Sequence, residues 1–516
     1  MIDYVPAEPW QSHVSREVVV IDAAIRRVSN FCPLVLIDVT TGLLCDEAER
    51  KRIFKTDLIY DELFSLATTQ LDIKHIVCVV ARFFRYVMFS HTWEGQEPTF
   101  QDVSKSLDKS VYKLDPSSRL NEKLRKFCET VRKDPEGYRW SWSDTCCIDK
   151  TVEAVYKKSI RSMYDWYKWS ALTLVLLADI SELKDNRWMT RAWTLQELLS
   201  PKTIRFYDRE WNPYRSDANT NHKKSSLILR ELAEAIGVAP DALADFSPET
   251  LDVREKLRLA STRNATYEED VAYSLIGIFS SNLIPEPRDA AIALGLLLQE
   301  IVERYQEATV LDWTGESSKF NSCLPARISV YSQSPYIASS IADENMEKQV
   351  AELRGLSTSQ QDAIKFYHKV SRLDPLLFAN HRLHLPCITF PITVTKCDPV
   401  NRHQTCGQGI VYLAKAPALG EVEFTTTEML PSQDRLMLAY PWIRDLLTQA
   451  HVPEGDPDTQ ASRLIVHLEQ PFRALLLAKH PVHNEYRRIA ADNEIIVPRY
   501  RLTSLEHVGA ERLVIL

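Results

Sequence analysis

Leu172-Thr173-Leu174-Val175-Leu176-Leu177 is an unbroken β-compatible run in which only one threonine interrupts aliphatic side chains. A strand that is apolar on both faces belongs in a sheet covered on both sides, and parallel sheets meet that condition because their crossover helices lie on the faces. Working outward, short apolar runs alternate with amphipathic segments, the pattern of βαβ units. Residues 85–89 and 138–142 read as strands upstream, and 203–207 as one downstream. Residues 117–133 predict a helix with Leu120, Leu124, Phe127 and Val131 on one face and Gly137 in the turn beyond it. Val152, Val155, Tyr156, Ser159, Ile160, Met163, Tyr164 and Tyr167 then recur at helical spacing, with Lys157, Lys158, Arg161, Asp165 and Lys168 turned away. A helix over 191–199 is stopped by Pro201.

This reading sets Ser90 and His91, Asp144, Asp179 and Asp208 each just past the carboxyl end of a strand. In an open doubly wound sheet, ligands bind in the crevice along that edge. The α/β domain spans 80–214 and follows an N-terminal segment, 1–79, whose apolar run at 73–80 either completes the core or regulates the crevice. A polar connector at 219–224 leads into a helical extension, 215–306, with helices at 225–236, 253–260, 268–279 and 290–305. A loop and helical connector, 307–382, carries helices near 344–354 and 359–372. The remainder, 383–516, has short β-branched runs at 388–395, 462–468, 473–477, 495–498 and 512–516 and reads as a β-rich domain of antiparallel strands.

With 62 Lys and Arg against 70 Asp and Glu, the chain has a net charge of −8 and no basic run, which argues against nucleic acid as a partner. The N-terminus lacks the features of a signal peptide and no apolar stretch is long enough to span a bilayer, so a cytoplasmic, non-membrane protein is expected. The 10 cysteines show no small-domain framework, and no structural disulfide is expected. Neither Cys146-Cys147 nor Cys397, His403 and Cys406 has a second pair at zinc spacing, so no metal and no cofactor are expected.

Three blocks add aromatic and turn residues that no generic sheet requires: Ser90-His91-Thr92-Trp93, Trp142-Ser143-Asp144-Thr145-Cys146-Cys147-Ile148-Asp149, and Arg191-Ala192-Trp193-Thr194-Leu195-Gln196-Glu197-Leu198. With Ser162-Met163-Tyr164-Asp165-Trp166-Tyr167, they resemble the fungal heterokaryon incompatibility (HET) domain over residues 80–211. The resemblance implies a fungal source and a role in vegetative incompatibility, where contact between different individuals triggers programmed cell death. It also implies an open parallel sheet like that of Toll/interleukin-1 receptor (TIR) domains, several of which cleave NAD at the nicotinamide–ribose bond with a glutamate in a Trp-x-x-x-Glu segment. Trp193 and Glu197 match that spacing. The chain departs from the family pattern at Glu94, which stands between Trp93 and Gly95, at Lys157 and Lys158, where relatives carry acidic residues, and at Pro285-Glu286-Pro287.

On this reading Glu197 is the catalytic candidate, its charge facing an oxocarbenium-like state as carboxylates do in glycosidases. Trp93 or Trp193 offers a stacking surface, Ser90, His91 and Asp144 contact ribose or phosphate, and Arg191 pairs with phosphate. Each also has a blander role. Glu197 would favour its helix dipole by ~0.3–1 kcal/mol, Asp144 would cap a turn, His91 would be a hydrogen-bonded structural residue, and most of the tryptophans would fill the sheet–helix interface. Three functions stay open: a NAD-consuming death effector, a non-catalytic scaffold that self-associates through the HET domain or binds an unknown protein partner, and a hydrolase of another nucleotide.

Overall fold

The computed structural model describes residues 16–69, 72–105, 122–177, 182–336, 360–397, 409–417, 419–431, 435–442, 457–499 and 504–516. The chain divides into two compact units, Met1–Thr250 with Ile284–Glu286, and Leu251–Leu283 with Pro287–Leu516.

The first unit is built on a mixed six-stranded sheet. Its strands are β1 (Val35–Asp38), β2 (Leu44–Asp46), β3 (Tyr86–His91), β4 (Trp140–Ser143), β5 (Leu172–Leu176) and β6 (Ile204–Tyr207), in the order β2-β1-β4-β3-β5-β6. β4, β3, β5 and β6 run parallel, with Phe89 opposite Ser143 on one side and Leu174 on the other. The expected parallel strands are present with ends displaced by one or two residues. The sheet is not wholly parallel, however, because an antiparallel hairpin from the N-terminal segment extends it, Ile37 pairing with Ser141. Gly42 turns that hairpin at φ +77°, a backbone state open to glycine at little cost.

Helices α1 (Arg16–Ser29), α2 (Glu47–Lys55), α3 (Leu58–Thr69) and α4 (Ile73–Phe83) share an apolar cluster of Ile21, Ile25, Phe54, Leu63, Ile76 and Val80. Asp46 and Asp72 cap α2 and α4 by accepting from backbone N–H groups in the first turn. The run at 73–80 thus completes a helical core of its own. Arg50 ties this layer to the sheet: its buried guanidinium donates to the carbonyls of Pro33, Leu34 and Cys45 at 3.0–3.2 Å.

After β3 comes the short α5 (Phe100–Lys105), and the crossovers are then α6 (Glu122–Lys133), α7 (Glu153–Trp169) and α8 (Thr194–Leu199). α6 buries Leu124, Phe127 and Val131 as its periodicity requires, and Gly137 takes the left-handed conformation beyond its end; Leu120 and residues 117–121 lie outside the described residues. α7 buries Ile160, Met163, Tyr164, Trp166 and Tyr167. Val152, expected on that face, is 45% exposed, because the helix starts one residue later.

The polar stretch 219–224 does more than connect. The edge strand β6 has its outward N–H groups covered by it, Ile204 donating to Asn221 Oδ1 at 3.2 Å and Phe206 to His222 Nδ1 at 3.0 Å. Lys223 is buried and donates to the carbonyls of Leu199 and Pro201, at the end of α8. α9 (Ser226–Ile236), capped by Ser225 and ended by Gly237, and α10 (Pro240–Ala244) follow.

The second unit opens with α11 (Val253–Ser261), α12 (Asp270–Tyr273) and α13 (Ala290–Tyr305). Of the helix expected over 268–279 only Asp270–Tyr273 is α-helical, and turns complete it. The β-rich end is confirmed. Strands Arg382–Pro391, Leu436–Pro441, Leu475–Lys479, Tyr486–Ile489 and Gly509–Ile515 pair in a closed ring, antiparallel except where Tyr486 meets Ile515. Residues 462–468, read as a strand, instead belong to the helix Pro457–Leu468: Ala461, Leu464, Ile465 and Leu468 fall at helical spacing and all enter the core. The helix expected over 359–372 is Gln360–Ser371, while that at 344–354 lies outside the described residues.

Replacing Arg50 by Ala or Met is expected to cost roughly 2–4 kcal/mol, since two buried carbonyls and one part-buried carbonyl lose a charged donor at once. The check is a denaturant titration of the full chain: a midpoint within error of wild type would show that the clamp contributes nothing net.

Candidate functional site

β3 is flanked by β4 and β5, so the chain leaves it to one side and then crosses to the other. That reversal makes the carboxyl end of β3 the switch point of the parallel strands, where a crevice opens in doubly wound sheets. All six residues of β3 are buried, and its last two are Ser90 and His91.

Glu197 lies in the first turn of α8 and is only 8% exposed. Ser90 Oγ donates to its Oε2 in a short hydrogen bond, although 107 residues separate them. Ser90 Oγ in turn accepts from Trp188 Nε1 at 2.8 Å. Burial, aided by the Asp144 charge and against the pull of Ser90, Arg191 and the Tyr167 hydroxyl, pushes the Glu197 carboxyl up to about 8. The helix-dipole role alone therefore does not describe Glu197: a solvated carboxylate has no such shift.

His91 stacks on Phe89 with centroids 4.3 Å apart, and both ring nitrogens are buried without a hydrogen-bond partner. Its Nε2 stands 3.8 Å from Glu97 Oε1, and Lys123 pairs with the same carboxylate while donating to the Thr92 carbonyl at 3.2 Å. Burial, with Lys123 and Arg191 nearby, holds His91 well below the usual imidazole value, so the ring is neutral at pH 7. A neutral imidazole with two idle nitrogens can still receive or donate one hydrogen bond to a ligand.

Trp93 is 40% exposed on the loop after β3. Its indole donates to Asp144 Oδ2 at 3.0 Å, and Lys150 Nζ sits 4.1 Å over the ring. Burial raises the Asp144 carboxyl, against the pull of Lys150 and Trp93. Glu94, the departure in this loop, pairs with Arg209 at 3.2 Å, and Gly95 takes φ +68°.

Arg191 stands between the 3₁₀ turn Arg187–Thr190 and α8, half-buried, and its charge bears on Glu197, Asp144 and His91. Trp193 is at the N-terminal boundary of α8, one turn before Glu197, and half-buried. Ser90, His91, Asp144, Arg191 and Glu197 are thus brought together by contact or charge, with Trp93 over Asp144. Asp208 is used locally, accepting from the Asn212 backbone at 2.8 Å in a turn; Asp179 lies outside the described residues.

Trp188, Tyr167, Glu97 and Lys123 were not anticipated as site residues. For Trp188 a local signal existed, since Asn186 caps the turn by accepting from the Trp188 N–H. Nothing local marks Lys123 as the partner of a carboxylate 26 residues away.

A hollow of about 460 Å³ lies elsewhere on this unit, against Lys133, Arg205, Tyr207 and Trp211, and no residue of the Glu197 cluster lines it. The cysteines Cys146 and Cys147 are buried free thiols, and among the described residues no group of three or more His, Cys, Asp or Glu could hold a metal. No described helix is long and apolar enough to cross a membrane.

Comparison with known proteins agrees with the first two of the blocks, 90–93 and 142–149. The family model of the heterokaryon incompatibility protein (HET) matches residues 86–184. The chain is also 33% identical over 214 residues to the vegetative incompatibility protein HET-E-1 of Podospora anserina, an alignment covering 38% of this chain. The chain spans 14% of the length of that relative. No solved structure matches. The matched segment begins at the first residue of β3 and runs past β5, so it holds Ser90, His91, Trp93 and Asp144, and this chain carries a HET domain.

Proposed function

We propose that this chain acts in fungal vegetative incompatibility, as a non-self recognition protein whose HET domain is TIR-like and kills by cleaving NAD at the nicotinamide–ribose bond. The observation that supports a chemical site most is the buried Glu197 carboxyl, held by Ser90 at the switch point of the sheet. Proteins rarely keep a carboxyl in such surroundings without a use for it, because burial disfavours its charge. In the reaction, the bond from the ribose anomeric carbon to the pyridinium nitrogen breaks with its electron pair going to nitrogen, which leaves neutral nicotinamide. The ionised Glu197 would stabilise the oxocarbenium-like ribose, and water would add to that carbon and lose a proton to solvent. Trp93 offers an aromatic face for the departing base, and Arg191 a cation for phosphate. The cationic nicotinamide ring would itself favour the ionised carboxyl.

The test is nicotinamide release by the full chain. If Glu197 must be ionised, kcat/KM rises with pH and levels off above about 8. Glu197→Gln is expected to lower release by roughly 10²–10⁴-fold. No release at any pH or protein concentration would favour the second reading, a non-catalytic scaffold acting by self-association or partner binding.

A stability measurement is independent of turnover. The folded Glu197 value lies above the unfolded one, so the folded chain holds the proton more tightly and its stability falls as pH rises from the unfolded value through the folded one. Glu197→Gln, always neutral, should therefore gain Tm over wild type progressively toward pH 9, with the smallest difference near pH 4. A Tm difference that does not change with pH would show that the carboxyl is not held neutral by burial.

A further inference from the structure

A serine hydroxyl has one proton and two lone pairs, so its neighbours decide which way it donates. Ser90 Oγ has Glu197 Oε2 on one side and Trp188 Nε1 on the other. An indole N–H can only donate. Its hydrogen bond occupies one lone pair of Ser90, and once Glu197 is ionised its oxygens can only accept, so the serine's own proton goes to the carboxylate.

The Trp188 ring cannot readily turn away. It is fully buried and sits edge-on to Phe206 at 5.7 Å. Its backbone is held at both ends, the N–H donating to Asn186 Oδ1 at 3.0 Å and the carbonyl accepting from Thr194 Oγ1 at 2.5 Å. Thr194 is the first residue of α8, so the same tryptophan links β3 and the helix that bears Glu197. Nor is the contact explained by a buried indole's general need for a partner. Trp140 and Trp142, equally buried in the same sheet, leave their indole nitrogens without one.

We propose that Trp188 is a positioning residue for the crevice carboxyl: it acts through Ser90, directing the serine's single proton onto Glu197 Oε2 and so orienting the carboxylate and supporting its charge. The inference rests on Glu197 being the functional carboxyl of the HET domain. Trp188 itself need touch no ligand.

The experiment uses the full chain with ¹⁵N-indole tryptophan and ¹³C-carboxyl glutamate. Trp188→Phe assigns the Trp188 resonance, Trp188→Tyr serves if that variant does not fold, and Glu197→Gln assigns the carboxyl. In wild type the Trp188 indole signal should show an inflection at the pH where Glu197 titrates, and the inflection should vanish in Glu197→Gln and in Ser90→Ala. Trp188→Phe should move the Glu197 midpoint upward by about half a pH unit. Ser90→Ala should move it at least as far, and the double variant no further than Ser90→Ala alone. A flat Trp188 signal through the Glu197 titration, or additive shifts in the double variant, would overturn the proposal. Neither signal depends on turnover. Intact coupling without nicotinamide release would sink NAD cleavage alone, and release with a flat indole signal would sink the role of Trp188 alone.

Discussion

Parallel pairing of β3 with both β4 and β5 is the constraint from which the rest of the HET domain follows. It buries all six residues of β3, so that strand can carry no chemistry along its length. What chemistry it has is confined to the carboxyl end, at Ser90 and His91. The same pairing sets the turn after β4, with Asp144, beside the loop after β3, with Trp93. The crossover between β5 and β6 then delivers α8 to the same edge, so Glu197 meets Ser90. A hairpin from the N-terminal segment closes the far side of the sheet, and Asn221 and His222 cover the near edge.

The candidate site centres on a buried carboxyl. Burial disfavours its charge, and the groups around it divide into those that oppose the shift, Ser90, Arg191 and Tyr167, and Asp144, which adds to it. Two acidic groups at one crevice, both raised by burial, cannot ionise together as easily as two separated ones. Arg191 and Lys150 temper that repulsion from different sides. His91 stays neutral for the same reason that Glu197 tends to, since both are buried.

Much of this was legible beforehand. The run at 172–177 is apolar on both faces because the strand is covered on both faces, and the periodicities of α6 and α7 report the faces they bury. Ser90 and Asp144 were legible as candidates from their places after strands, and Glu197 from the block that resembles the HET family. Failures came where local pattern and tertiary context part. β1 is four residues long and pairs with a strand a hundred residues away, so no window reveals it. The stretch 219–224 reads as a polar connector because Asn221, His222 and Lys223 are polar. Yet they are buried, each bonded to backbone left open at the edge of β6 or the end of α8. The helix Pro457–Leu468 was mistaken for a strand because its β-branched residues outweighed a helical spacing that was present.

The sequence by itself determined the parallel α/β core and the β-rich end, and it offered candidates for the crevice, because hydrophobic period and strand-end position are local properties of the chain. Only the tertiary structure decided which of those residues meet. The Ser90–Glu197 bond closes a separation of 107 residues, and that between Trp188 and Ser90 one of 98. Such contacts are set by how strands register and how α8 is tied down at both ends. The proton-holding behaviour of Glu197 is likewise a tertiary property, since it depends on how much water the assembled walls exclude and on which neutral donors they leave facing the carboxyl.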